Sequence, residues 1–261
     1  MQFTPFHRAA VLTLSGCAFA AALTPRPAWA GAGFYDLRTL CQPLEIHDGS
    51  PEESACLKEM AGSVRRDGRK LTLGLANGKT KVITDAKECE PEGPEASCIS
   101  YRLIGRLGDR HYMLLVTPYE CPYVMLVNRR TGVETNIGSG PFLAPNGKRF
   151  VTIDPRDDGN CGIDYRIGMF ATGENPKLEW SYKPEGLEQY QVDTWIGDTR
   201  IRLQASGEIG KEVPTDLTRT AQGWQLRRPN GEISMGAAAA VAPPTTSQQT
   251  PASASGAPGS R

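Results

Sequence analysis

The chain lacks most of the sequence motifs that are typical of enzymes. No two cysteines have the C-x-x-C spacing of zinc ligands, and only three histidines occur among 261 residues. No G-x-S-x-G motif of a serine hydrolase is present. Charge of one sign is not in excess either, with 29 Lys+Arg against 29 Asp+Glu, which argues against a nucleic-acid partner. We therefore expect no cofactor, no metal site and no catalytic residues.

Long apolar runs are also scarce, and the one that stands out lies near the start. It extends over about 15 residues, Ala9–Leu23, where a membrane span needs roughly 20. His7 and Arg8 precede it, and Ala28-Trp29-Ala30 follows it. A basic start, an apolar middle and a small-x-small exit are typical of a cleaved secretory signal. We predict a signal peptide over residues 1–30, no transmembrane span, and a periplasmic or secreted location.

A second pattern overlaps this signal. Leu14-Ser15-Gly16-Cys17 resembles a bacterial lipobox, in which the cysteine becomes the lipidated first residue. The alternative location is therefore the envelope membrane, with a lipid anchor at Cys17. Cleavage after Ala30 would instead leave two more acidic than basic side chains, too few to attract phosphates or anionic lipid over a distance.

An even number of cysteines remains after the signal, which in an exported chain indicates a disulfide framework. The six are Cys41, Cys56, Cys89, Cys98, Cys121 and Cys161. Proximity along the chain favours the pairs Cys41–Cys56, Cys89–Cys98 and Cys121–Cys161. The residues between Cys89 and Cys98, Glu90-Pro91-Glu92-Gly93-Pro94-Glu95, favour a turn that would bring the two ends together.

Local sequence patterns predict one helix and one hairpin before the strand-rich part of the chain. Ser50 is the predicted N-cap of the helix, with Pro51 at its first position and Gly62 as its stop. The alternation around Asn77-Gly78 predicts a hairpin with a type I′ turn. We expect a single domain over residues 31–235, and a disordered tail of Ala, Pro, Ser and Thr over residues 236–261.

From residue 99 onward, short strands alternate with tight turns. The predicted strands are Ile99–Leu107, His111–Thr117, Tyr123–Asn128, Val133–Ile137, Arg149–Asp154, Asp164–Ala171, Lys177–Lys183, Asp193–Ile196, Arg200–Gln204, Asp216–Thr220 and Gly223–Arg227. This pattern predicts an all-β, mainly antiparallel fold with one short N-terminal helix. A small β-propeller-like domain is the favoured architecture, and a β-sandwich is the alternative.

Two stretches support the propeller-like architecture. Asn128-Arg129-Arg130-Thr131-Gly132, followed by residues 140–151 around Pro145-Asn146-Gly147-Lys148, resembles a blade of the bacterial periplasmic TolB/WD40-like β-propellers. Trp195-Ile196-Gly197-Asp198 looks like the start of another blade. The resemblance covers about residues 110–205. It implies four-stranded blades of roughly 40–45 residues.

Three groups of residues are candidates for chemistry or binding. Residues 154–164 hold four aspartates, and Asp154 and Asp164 lie at the ends of that loop. Such an oxygen-rich loop resembles a calcium site, although its residues do not match the calcium-loop pattern. Two of its carboxylates could also serve a glycosidase, which needs a pair about 5–9.5 Å apart. Tyr119 and Tyr123 flank Cys121 and are the predicted binding residues. Trp180, Trp195 and Trp224 are expected to pack in the core. His47 and His111 are expected to be surface or strand-end histidines rather than general bases.

These observations favour a binding protein over an enzyme. The hypothesis is an exported, non-catalytic protein that contacts a protein of the bacterial cell envelope, as an inhibitor, an immunity protein or an envelope scaffold. Rigid disulfide-bonded loops would reduce the entropy lost on binding. One alternative is a glycosidase-like envelope hydrolase that uses the carboxylates of residues 154–164. The other is a lipid-anchored envelope assembly factor.

Overall fold

The protein is built from antiparallel strands. The computed structural model describes residues 36, 38–41, 46–47, 50–86, 98–118, 121–154, 165–184, 188–206 and 212–238. One short helix accompanies the strands of these residues, so the prediction of an all-β, mainly antiparallel fold is confirmed. Within the same ranges, no helix has the length and apolarity that a membrane crossing requires.

A short hairpin and the helix precede the larger sheets. Their bounds are β1 (Ile46–His47), β2 (Ser50–Pro51) and α1 (Glu53–Glu59). The predicted N-cap at Ser50 is wrong, because Ser50 pairs with His47 in the hairpin. Glu52 precedes the helix and makes no side-chain capping hydrogen bond. Met60 caps the helix at its end, two residues before the predicted stop at Gly62.

The first sheet has three strands in sequence order. They are β3 (Val64–Asp67), β4 (Lys70–Gly74) and β5 (Thr80–Thr84). The predicted hairpin is present, but its turn is not type I′. The backbone N–H of Leu75 donates to Lys79 at 2.8 Å, and that of Gly78 donates to Leu75 at 3.0 Å. With Gly78 at φ +78°, the connection is a three-residue loop that ends in a left-handed glycine.

Three larger sheets follow, and each contains an up-and-down run of four strands in chain order. The second sheet consists of β6 (Ser100–Leu107), β7 (His111–Thr117), β8 (Tyr123–Asn128) and β9 (Glu134–Gly138). The third begins with β10 (Phe142–Leu143), β11 (Arg149–Ile153), β12 (Ile167–Ala171) and β13 (Lys177–Tyr182). The fourth begins with β14 (Gln189–Ile196), β15 (Arg200–Ser206), β16 (Glu212–Thr220) and β17 (Gly223–Arg227).

Two short strands complete the outer edges of the last two sheets. They are β18 (Ile233–Ser234), which pairs with β17, and β19 (Ala237–Ala238), which pairs with β13. The chain thus returns from the fourth sheet to the third. Gly236 permits this return, because a Cβ there would lie 2.2 Å from the Ser181 carbonyl oxygen. Two residues of the predicted tail therefore form a strand, and its remainder, from residue 239 on, lies outside the described residues.

The sheets stack face to face in chain order, and a hydrophobic cluster fills each gap. The first cluster joins α1 and the first sheet to the second, through residues such as Cys56, Leu71 and Tyr112. Another joins the second and third sheets and contains the stacked rings of Phe150 and Phe170, 4.9 Å apart. The last cluster joins the third and fourth sheets. No cluster of the described residues joins the first sheet to the fourth, so closure into a propeller remains a prediction.

A segment near the start of the chain lies across the stack. Leu40 pairs with Gly105 of β6, and the N–H of Cys41 donates to Ile104 at 3.3 Å. The carboxylate of Asp36 accepts a hydrogen bond from the backbone N–H of Leu143 in the third sheet, at 3.1 Å. The described part of residues 36–41 therefore binds β6 and β10, the first strands of two neighbouring sheets, and links these sheets.

Candidate functional site

The predicted disulfide framework agrees with the described cysteines. Cys41 and Cys56 form a disulfide, which confirms this pairing. Cys98 and Cys121 are also disulfide-bonded. Their predicted partners, Cys89 and Cys161, lie outside the described residues, so those two pairings remain predictions.

The two tyrosines predicted to bind a partner are placed only in part. Tyr119 lies outside the described residues. Tyr123 is half-buried at the start of β8 and packs against the first hydrophobic cluster. Burial raises the pKa of its hydroxyl above the ordinary value of 10.0. Tyr123 therefore contributes to packing, and a binding role for the pair remains a prediction.

Of the four aspartates in residues 154–164, which were the candidates for a hydrolase or a calcium site, only Asp154 is among the described residues. Asp154 is buried, and its backbone N–H donates to Arg166 at 2.9 Å, while the Arg166 side chain donates to its carbonyl oxygen at 3.2 Å. The other aspartates of residues 155–164 lie outside the described residues. In the part of the chain that is described, no group of three or more His, Cys, Asp or Glu side chains is placed to hold a metal ion.

His111 joins the second and third sheets. Its Nε2 lies 2.9 Å from the carbonyl oxygen of Glu174, which also accepts a hydrogen bond from the Asn128 side chain. Burial lowers the pKa of His111 below its ordinary value of 6.5, and the nearby charge of Arg110 lowers it further. His111 thus lies at the start of β7, a strand-end position as expected, but it is 2% exposed and not on the surface. Of His47, only the backbone in β1 is described.

The predicted core tryptophans lie between the third and fourth sheets. Trp180 and Trp224 are buried there, and Trp195 packs against the same cluster with its ring 6.4 Å from that of Trp224. These three aromatic side chains therefore belong to the interior, as predicted. They fix which face of the fourth sheet points inward, and so which face points away from the stack.

The outward face of the fourth sheet combines exposed arginines with exposed apolar side chains. Its inward residues, such as Ile201, Leu203 and Leu217, are fully buried against the third sheet. The alternate residues of each strand point the other way. We call this surface the arginine face, and define it by Ile196, Arg200, Arg202, Asp216, Arg227 and Ile233.

The strand register brings the charged residues of this face together. Arg202 pairs with Asp216 across β15 and β16, and Asp216 pairs with Arg227 across β16 and β17. Arg200 donates to the Asp216 carboxylate at 2.5 Å, and Arg202 lies 3.5 Å from its other oxygen. The hydrogen bond to Asp216 raises the pKa of Arg200 above its ordinary value. Arg200 and Arg202 thus contact the Asp216 carboxylate and Arg227 lies opposite Asp216 on β17, so that three arginines against one carboxylate make the centre of the face positive.

Apolar side chains border these charges on two sides. Ile196 pairs with Arg200 at one edge of the sheet, and Ile233 pairs with Arg227 at the other. They are 39% and 43% exposed, although large apolar side chains of the described residues are mostly buried. The prediction missed this face, because Asp216 and Ile196 were noted only as strand residues. Their alternation with buried neighbours was the available signal.

The comparisons with known proteins add no family and no fold relative. The chain matches no protein-family model, no curated protein and no solved structure. A proposal about function therefore rests on the geometry of the described residues.

Proposed function

We propose that the protein is an exported, non-catalytic binding protein that contacts another protein of the cell envelope through its arginine face. The observation that carries this proposal is the exposed position of that face at the end of the stack. Each preceding gap between sheets is filled by apolar side chains, whereas this face exposes arginines and isoleucines together. Protein interfaces combine arginine with apolar side chains in the same way, while ordinary surfaces favour lysine and glutamate.

The charges indicate the kind of partner surface. Asp216 neutralises one of the three arginines, and Arg227 makes no salt bridge with a carboxylate among the described residues. An acidic protein surface would complement the remaining positive charge. Such complementarity raises the association rate and makes binding sensitive to salt. The exposed stems of Arg200 and Arg202, about 40% accessible, would add apolar contact.

The disulfides support export as part of this proposal. Cys41, Cys56, Cys98 and Cys121 are all disulfide-bonded, and disulfides persist in oxidising compartments such as the periplasm. The predicted signal over residues 1–30 leads to the same location. An inhibitor, an immunity protein or an envelope scaffold would each use such a rigid face. The TolB-like resemblance fits the three consecutive four-stranded runs, and kinship with those propellers remains part of the proposal.

Affinity capture from envelope extract under non-reducing conditions tests the proposal. The bait would be compared with the double variant Arg202→Glu and Arg227→Glu, which reverses two charges on the face. The matched control is Arg65→Glu, an exposed arginine of the first sheet at the opposite end of the stack. We expect one acidic protein to be retained by the native chain and the control, and lost from the double variant and at high salt.

Two results would overturn the proposal. Equal retention of the same protein by the double variant would show that the arginine face is not the contact surface. Cleavage of an envelope polymer by the purified chain, with no protein retained, would instead support the hydrolase alternative. Far-ultraviolet circular dichroism of each variant would confirm that loss of retention is not loss of folding.

A further inference from the structure

A cleft of about 300 Å³ lies between the second and third sheets. It is bordered by the β6–β7 turn around Asp109, by the β10–β11 turn around Asn146, and by Thr172 and Gly173 after β12. This volume is at the lower end of the range for small-molecule sites. The cleft lies outside the arginine face, and none of its residues takes part in the function proposed above.

The turns that border the cleft are fixed by hydrogen bonds. Arg129 donates its backbone N–H to Arg110 at 2.8 Å and its side chain to the Asp109 carbonyl at 3.2 Å. On the other side, Thr172 donates its N–H to Lys148 at 3.0 Å and its hydroxyl to Gly147 at 2.8 Å. The cleft therefore exists before a ligand binds, which reduces the entropy cost of binding.

The rim carries charged side chains that are not used by the fold. Arg110 and Lys148 are exposed, and neither makes a salt bridge within the described ranges. Asp109, next to Arg110 in the chain, is exposed and is likewise in no salt bridge with a described residue. A second carboxylate borders the rim, because Asp198 accepts a hydrogen bond from the backbone N–H of Asn146 at 3.0 Å. The effect of Arg110 on the pKa of His111 is consistent with a positive potential there.

The inner wall of the cleft is apolar and uncharged. Leu107 is buried and Leu143 is partly buried, and both belong to the cluster between the two sheets. His111 is neutral at pH 7, because burial lowers its pKa. Gly108 and Gly147 have no side chain to fill the space, and no described atom lies within 4 Å of where a Cβ would stand on either. A flat apolar group can thus approach the backbone of both turns.

We propose that this cleft binds a small organic carboxylate, with its carboxylate between Arg110 and Lys148 and its apolar part against Leu107 and Leu143. A carboxylate fits better than a phosphate, because Asp109 and Asp198 already bring two carboxylates to the rim and a monoanion adds less repulsion than a dianion. A dianionic phosphate would leave excess negative charge beside Asp109. The guanidinium of Arg110 can also bind both oxygens of a carboxylate.

Titration with benzoate, followed by amide NMR of the oxidised chain at constant ionic strength, tests this inference. We expect saturable shifts of the Gly108 and Gly147 amides. Acetate, which lacks the apolar part, and benzyl alcohol, which lacks the charge, should each bind at least about fivefold more weakly.

Variants of the rim give effects of opposite sign, which separates binding from folding. Arg110→Gln and Lys148→Gln should each raise the Kd of benzoate about threefold, and Asp109→Asn should lower it about threefold, as expected for single exposed charges. Lys79→Gln, at an exposed lysine in the β4–β5 turn, should change nothing.

Three outcomes would overturn the inference. They are shifts that do not saturate, equal shifts with benzyl alcohol, and Kd values that are the same in all four variants. The variants of the arginine face should leave benzoate binding unchanged, so failure of the protein-binding proposal would be distinguishable from failure of this one.

Discussion

The Cys41–Cys56 disulfide gives the sharpest test of how this fold is held together. It joins the segment that contacts β6 and β10 to helix α1, and its two cysteines are 4% and 0% exposed. The bond closes a loop between residues 15 positions apart in the chain. Such a cross-link restricts the unfolded chain and stabilises the folded state by about 3 kcal/mol.

Replacing Cys56 by alanine should therefore lower the free energy of unfolding by about 3 kcal/mol, plus about 1 kcal/mol for lost packing. The double variant Cys41→Ala and Cys56→Ala should cost only about 1 kcal/mol more, because the cross-link is already absent in the single variant. For a domain of this size, a loss of 3–4 kcal/mol corresponds to a Tm lower by roughly 6–16 °C.

Equilibrium urea unfolding of the oxidised proteins would measure these differences. Ile83→Val is the control, since it removes one methyl group from the same hydrophobic cluster without affecting a cross-link, and should cost about 1 kcal/mol. The reasoning is refuted if the single variant is no less stable than Ile83→Val. It is also refuted if the double variant costs twice as much as the single one, because the two losses would then be independent.

Two further predictions concern other parts of the structure. Gly105→Ala should destabilise the fold by about 3 kcal/mol in urea unfolding, because its Cβ would lie 2.0 Å from the Thr39 carbonyl oxygen, whereas Gly62→Ala should be neutral. His111 has a lowered pKa in the folded state, so the unfolded chain binds more protons below pH 6.5 and stability should fall as the pH drops through that value. His111→Gln should lose less stability than the native chain between pH 7.5 and 5.5, and an equal loss in both would contradict the assignment.

The limits of several strands were predictable from the sequence. The predicted limits of His111–Thr117, Tyr123–Asn128 and Gly223–Arg227 are those observed. The start of β14 was predicted at Asp193, four residues late. The missed residues, Gln189 to Val192, include two glutamines that point away from the core, and these hid the alternation.

Backbone pairing and the order of the sheets explain what the sequence could not reveal. Ser50 has the residue type and spacing of an N-cap, but pairing with His47 gives its backbone a different partner. The arginine face was hidden for a similar reason, because an outward arginine in a strand looks like any solvated residue. Only the order of the sheets shows that Arg200 and Arg202 lie at the end of the stack.

The pattern of buried and accessible residues along each strand nevertheless indicates where its sheet lies in the stack. Strands β7 and β12 belong to sheets that are covered on both sides, and they are buried along almost their whole length. Strands β4 and β15 belong to the first and fourth sheets, and their buried residues alternate with accessible ones. A sheet buried on both faces needs continuous apolar strands, and a sheet with one free face needs alternation. The end sheets are therefore built to keep one face in contact with solvent or with a partner. The arginine face adds two exposed isoleucines to that polar pattern, whereas the free face of the first sheet exposes one valine, Val82.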